Sequence, residues 1–145
     1  MRGYFGIGAI GMKNSENYGT LFRSAFSLGA KFIFLIGCRF KRQVSDTTCS
    51  HKHIPLFTYT TFEEFYQNLP YNCKLIGIEK IQEATPLHVF KHPERACYLL
   101  GPEDGSIPKY VIDKCHDLVV LNGRYCLNVA VAGSIVMHDR SRRSK

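Results

Sequence analysis

Apolar residues along this chain fall into short, nearly unbroken runs separated by stretches with helical spacing. Tyr4 to Ile10 is a Gly-rich apolar run that reads as the first strand. Asn14-Ser15-Glu16-Asn17 then supplies N-cap oxygens, and a helix is expected to about Leu28. Leu21, Ala25 and Leu28 share one face, with Phe22 and Phe26 beside them, before Gly29 stops the helix. Lys31 to Ile36 is continuous and apolar, as expected of a strand covered on both faces. Residues 38–55 are polar, basic and His-bearing, and read as a long loop. A short strand at Leu56 to Tyr59 leads to Thr60-x-x-Glu63, read as a capping box opening a helix over 61–69. Further strands are expected at Lys74 to Ile78, Ala96 to Leu100 and 117–121. Helices are expected near Pro108 to Lys114 and from about Cys126 to His138.

Alternating strands and helices, with strands that are apolar throughout, predict an α/β domain built on a parallel sheet. The loops after Gly11, Ile36, Ile78, Leu100 and Leu121 then share one edge. Open α/β sheets bind ligands at the carboxyl ends of their strands, so that edge should carry the site.

A length of 145 residues suits one domain, expected over 1–139, with 140–145 as a basic tail. No apolar run reaches the roughly 18 residues that cross a bilayer, and the first residues lack a signal-peptide layout. A cytoplasmic protein is expected, without a membrane partner. The net charge of +7 is unevenly spread. Residues 1–60 hold eight basic and two acidic side chains, 61–139 hold seven and ten, and the last six residues add four positive charges. A basic first half and a basic end predict attraction to a polyanion, of which nucleic acid fits best. The six cysteines form no C-x-x-C pair and read as small buried hydrophobes. Cys49-x-His51-x-His53 lacks a fourth ligand and fits no usual structural zinc spacing, so no metal is expected.

Three constellations fall at strand ends or helix starts. In Asn17-Tyr18-Gly19-Thr20-Leu21-Phe22-Arg23, the Asn and the Arg could both face the ligand edge. An N-cap Asn with a surface Arg is the plainer account. In Leu99-Leu100-Gly101-Pro102-Glu103-Asp104-Gly105, a strand ends in a Gly-Pro turn. Gly105 permits the return, and Glu103 could pair with Arg23 or accept from a ligand donor. The stretch lacks the fingerprints of nucleotide-triphosphate and dinucleotide loops. In Leu121 to Gly133, a strand runs through a polar turn into small residues, with Asn128 among apolar neighbours. An Asn so placed needs its amide satisfied.

Taken together and in this order, the three resemble the motifs of the SpoU/TrmH family of SPOUT RNA 2′-O-ribose methyltransferases. The matching residues are Asn17, Gly19 and Arg23, then Gly101, Glu103 and Gly105, then Leu121-Asn122 and Cys126 to Ala132. The chain departs from the pattern in residues and in spacing: Asn122 stands where the family has Pro, and Cys126 where it has Ser, which removes a hydroxyl donor; the 101–105 turn is one residue tighter, and the turn between 122 and 126 is short. The resemblance implies a SPOUT-type α/β knot, a C-terminal trefoil formed when the end of the chain threads an earlier loop. It implies a homodimer and an S-adenosyl-L-methionine site made by the knot loops. By position, Ile78, Glu79, Leu100, Gly101, Gly105, Leu121, Cys126 and Leu127 would bind that cofactor. Bulk at 126, 130 or 133 would fill the pocket or push away the crossing chain.

The implied reaction is methyl transfer to a ribose 2′-hydroxyl of RNA. Arg23 is the catalytic arginine by motif position, with Asn17, Glu103 and Asn128 in supporting roles. Arg2, Arg39, Lys41, Arg42, Arg140, Arg142 and Arg143 would hold RNA phosphates. With no appended RNA-binding domain expected, the catalytic dimer itself would recognise its substrate, which favours tRNA over rRNA. The alternatives are the same transfer on rRNA and a catalytically inactive knotted RNA-binding protein.

Overall fold

Gly6 and Gly8 explain why the first strand lies at the heart of the sheet. A side chain at either position would collide with the ring of Phe32 or Phe34, so their absence lets the neighbouring strand's aromatics lie across it. The computed structural model describes residues 3–38 and 52–143. Within them, β1 (Tyr4–Ile10), β2 (Phe32–Ile36), β3 (Leu56–Tyr59), β4 (Lys74–Ile78), β5 (Thr85–Pro86), β6 (Arg95–Leu100) and β7 (Asp117–Val120) form one sheet. The order is β3-β2-β1-β6-β4-β7-β5, and every pairing is parallel. Four α-helices accompany it: α1 (Ser15–Ser27), α2 (Phe62–Gln67), α3 (Lys109–Ile112) and α4 (Val129–Arg143).

The sheet is buried on both faces, as its unbroken apolar strands predict. One core joins Ile7, Ile33 and Leu100 to Leu21, Phe22 and Ala25 of α1 and to Val136 and Met137 of α4. The other joins Phe34, Leu75, Cys97 and Leu99 to Phe62 and Phe65 of α2 and Val111 of α3. At Gly133 the fourth helix comes closest to the first core. A Cβ there would lie 2.9–3.2 Å from the side-chain ends of Leu100, Leu21 and Ile7.

The elements differ from the expected ones at a few boundaries, each for a local reason. Asn14, not Asn17, caps α1, its side chain accepting from the N–H of Glu16. Gly29 ends that helix with a φ of +87°, and the Ala30 N–H returns to the Ala25 carbonyl. Phe26 is exposed and stacks on His53 instead of joining the core. The capping box is displaced by one residue: Thr61 accepts from Glu64 N–H, and Glu64 accepts from Thr60 N–H. Strand β5 escapes sequence reading because it has only two residues and pairs at the sheet's edge.

The last helix begins at Val129, not Cys126, and runs through Arg143, so the expected boundary at 139 falls inside a helix. Arg140 is only 3% exposed. Five cysteines lie among the described residues, all free; Cys73 and Cys97 are buried, but Cys126 is exposed. Arg2, Arg39, Lys41, Arg42, Cys49 and His51 lie outside the described residues. No described helix is long and apolar enough to cross a membrane.

Candidate active site

Three parallel strands, β4, β6 and β7, end side by side at the carboxyl edge of the sheet, and a cavity opens where their chains diverge. It is an open cleft that holds about 650 Å³ of empty space with its mouth included. Ile78, Glu79, Leu100, Gly101, Gly105, Leu121, Cys126 and Leu127 all line it. Every cofactor residue expected from sequence is therefore on its wall.

The walls are fixed by hydrogen bonds between loops. Glu79 accepts from the N–H of Ile107 at 2.8 Å and from its neighbour Lys80 N–H at 2.9 Å, which holds the 101–107 turn against the end of β4. The Lys80 ammonium donates to the carbonyls of Gly123 and Arg124 at 3.1 and 3.3 Å. Gly101 is buried, with Ile107 folded back so closely that a Cβ would lie 3.1 Å from its backbone nitrogen. Gly105 has ordinary room for a Cβ, so its turn does not need a glycine's freedom. Ala130 and Gly133 face the core, so bulk at these positions would disturb helix packing and not the cavity; Ala132 is the small residue that lines it.

Beside the cavity runs a directed chain of polar groups. Glu103 accepts from the N–H groups of Lys13 and Asn14, the latter at 2.8 Å, and from the amide of Asn17 at 3.1 Å. Because the carboxylate can only accept, the Asn17 NH2 must donate, and its oxygen accepts from Asn128 at 3.0 Å. The Asn128 oxygen then accepts from Ala130 and Val131 N–H, capping α4. Burial alone would raise the Glu103 pKa, but the donors from Lys13, Asn17 and Asn14 outweigh it and hold the carboxyl below its usual value.

Two expectations change here. Glu103 does not pair with Arg23; its oxygens are taken by the start of α1. Asn128 is exposed, and is satisfied as a helix cap instead of being buried. Arg23 stands exposed on α1 without a hydrogen bond or ion pair among the described residues.

The arginines expected to hold RNA divide sharply. Arg140 donates to the carbonyls of Pro93 and Glu94 and to the Tyr98 hydroxyl. Arg143 donates to the carbonyls of Leu87, His88 and Phe90 and to Asp139. Both are committed to the fold, because the chain offers clustered backbone carbonyls that a guanidinium fork can satisfy. Arg142 is exposed and pairs with Asp139 at 2.9 Å. Sequence reasoning did not assign Lys80, Pro102, Val120, Tyr125, Val129 and Ala132 to the cavity wall. Lys80 was within reach, since it directly follows a strand end at the ligand edge.

The model of the SpoU rRNA Methylase family matches residues 5–138. The chain belongs to that family. No curated protein matches this SpoU-family chain. Among solved structures, it is similar to an AdoMet-bound rRNA methyltransferase from Sinorhizobium meliloti, with a TM-score of 0.87 and 20% identity over 99% of this chain and 57% of that one. It is likewise similar to the SpoU methyltransferase AviRb from Streptomyces viridochromogenes, with a TM-score of 0.85 and 17% identity over 99% and 60%. The chain thus spans less than two thirds of the length of these two. A third structure, described as giving insights into the 2-OH methylation of C/U34 on tRNA, matches with a TM-score of 0.83 and 19% identity over 99% of both chains.

Proposed function

We propose that this chain is an S-adenosyl-L-methionine-dependent methyltransferase acting on a ribose 2′-hydroxyl of RNA. The observation that carries the reading is the meeting, in one cavity at three strand ends, of the eight residues that the resemblance assigns to the cofactor. Its walls suit the cofactor: apolar side chains of Ile78, Leu100 and Leu121 for a flat base, with backbone groups at strand ends for its polar edge. Bound there, S-adenosyl-L-methionine would supply an electrophilic methyl group.

The chain's own residues would bring the hydroxyl to that methyl. A 2′-hydroxyl is a weak nucleophile, so its position and its developing charge decide the rate. A guanidinium is a charged donor without a free lone pair and is unsuited to act as a base. The role of Arg23 is to orient the ribose and the neighbouring phosphate and to stabilise the forming alkoxide, the proton passing to a phosphate oxygen or to water. Asn17, Glu103 and Asn128 hold the start of α1, which carries Arg23, beside the cavity. Arg2, Arg39, Lys41 and Arg42 supply phosphate contacts, with Arg142 the one exposed arginine of the α4 end.

A SPOUT knot is supported by the strand order, since β7 enters between β4 and β5, both laid down earlier. A homodimer is supported by Val131 and Ile135, one turn apart on α4 and both exposed. tRNA is favoured by the neighbour described for tRNA methylation, which matches over 99% of both chains.

Transfer of a labelled methyl group to unfractionated tRNA tests this reading. Arg23→Ala and Arg23→Lys are expected to lose about 100-fold or more in kcat, with cofactor affinity by calorimetry unchanged. Wild-type turnover in either variant would remove Arg23 from the mechanism. Cofactor binding without transfer to any RNA would favour the inactive RNA-binding alternative.

A further inference from the structure

Residues 122–128 are all exposed, and Tyr125, Cys126 and Leu127 among them line the cavity. Such a segment would ordinarily lack a fixed shape, yet this one is held at defined points. Lys80 grips the carbonyls of Gly123 and Arg124, and Asn128 caps α4. Among the described residues, the two bonds from Lys80 are the hydrogen bonds that reach 122–127. They act on the backbone immediately before Tyr125.

Tyr125 is 77% exposed, a large ring left in water at the cavity mouth. Other exposed aromatics are accounted for differently. Phe26 stacks on His53, Phe57 meets Phe32, Tyr110 meets Phe62, and Tyr71 lies at the opposite edge of the sheet, before β4. Tyr125 is the exposed aromatic that lines the cavity among the described residues. The Arg124 guanidinium lies 5.9 Å from the centre of its ring. This cation sits close enough to polarise the ring, and Arg124 has no carboxylate partner among the described residues.

We infer that Arg124 and Tyr125 form a stacking platform for an unpaired base of the RNA substrate, beside the nucleotide to be methylated. The inference rests on the RNA methyltransferase reading and names what that site recognises: an unpaired nucleotide next to a phosphate. An aromatic ring accepts any base through its π-face, and an adjacent guanidinium can serve either the base or the backbone. Lys80 presents the pair by fixing the backbone beneath it, so less ordering remains for the RNA to impose.

Binding of the full chain to unfractionated tRNA and to a blunt, fully paired RNA duplex tests the platform, with cofactor affinity measured alongside by calorimetry. Measured without cofactor, Tyr125→Ala is expected to weaken tRNA binding about tenfold and to leave duplex binding as it was. Tyr125→Phe keeps the ring and should match wild type, whereas Tyr125→Leu keeps bulk without a π-face and should behave like Tyr125→Ala. Equal tRNA affinity in wild type and Tyr125→Ala overturns the platform, and so does full affinity in Tyr125→Leu. A loss confined to the cofactor overturns it too, by assigning the ring to the cofactor pocket. Failure of the wild-type chain to bind any RNA would instead bring down the functional reading on which the platform stands.

Discussion

The two edges of the sheet are built on opposite plans. At the amino edge, the end of α4 closes onto β6 through a buried polar network. Arg140 donates to the Tyr98 hydroxyl, which leaves the Tyr98 proton for His92 Nδ1 at 2.6 Å. His92 therefore carries its proton on Nε2 and donates it to Asp139 at 3.0 Å, and Arg142 and Arg143 complete the carboxylate. No buried side-chain nitrogen or oxygen among the described residues lacks a partner. At the carboxyl edge, the start of the same helix is reached through an exposed loop that Lys80 and Asn128 hold at its two ends. One edge uses its polar groups up on itself; the other leaves a cavity, an exposed ring and an exposed arginine facing outward. The same chain thus separates holding the fold from meeting a ligand.

Breaking the closed edge should cost the most. Arg140→Met keeps much of the aliphatic bulk but takes the guanidinium donor from the partly buried Pro93 carbonyl and the buried Tyr98 oxygen, and leaves the Glu94 carbonyl with the Tyr4 N–H alone. Each orphaned acceptor costs about 1–3 kcal/mol, so a total loss of about 3 kcal/mol is expected, read as a fall in Tm of about 6–12 °C. A wild-type melting curve for this variant would show that the network contributes little.

A smaller effect comes from His92. Burial disfavours its charged form and outweighs the pull of Asp139, so its pKa lies below the ordinary value in the folded chain. The unfolded chain takes up a proton as pH falls below about 6.5, while the folded chain resists it. Stability contributed by His92 is therefore full above that pH and declines as pH falls toward the folded pKa. Asp139, also held low by His92, Arg142 and Arg143 against the effect of burial, adds a separate loss below about pH 4. Urea unfolding should show less stability at pH 5.5 than at pH 7.5, and His92→Gln should flatten that difference. An unchanged slope in the variant would place the titration elsewhere.

The contrast between the edges also explains what could be read from sequence. Strand ends are legible, because unbroken apolar runs stop at Ile78, Leu100 and Leu121, and a parallel sheet brings such ends together. The ligand edge followed from that alone, whereas the residues of the cavity wall came from the resemblance to the SpoU/TrmH motifs. Partnership between distant polar groups was not legible. Arg140 and Arg143 look like a solvated basic tail, since nothing local reveals that carbonyls of residues 87–94 wait for them. Glu103 looked like a partner for Arg23 because opposite charges suggest it. Backbone N–H groups at the start of α1 compete better, being already ordered by the helix. Asn128 seemed buried because its neighbours are apolar, yet helix geometry turns Val131 outward beside it.

The open edge is tested most sharply by a substitution that should scarcely change stability. Lys80 is exposed, and its two bonds go to carbonyls that water could satisfy in its place. Exposed polar substitutions of this kind usually stay within about 0.5 kcal/mol, so Lys80→Met should melt with wild type. The carbonyls of Gly123 and Arg124 would lose their shared anchor, however, and the loop would be held by Asn128 alone. Backbone amides of 122–127 should then exchange with deuterium faster, while amides of β6 and the end of α4 exchange at wild-type rates. Lys80→Arg, which offers a fork to the same two carbonyls, should restore most of the protection. Unchanged exchange in Lys80→Met would mean that the loop holds its own shape, and the open edge would then be as self-sufficient as the closed one.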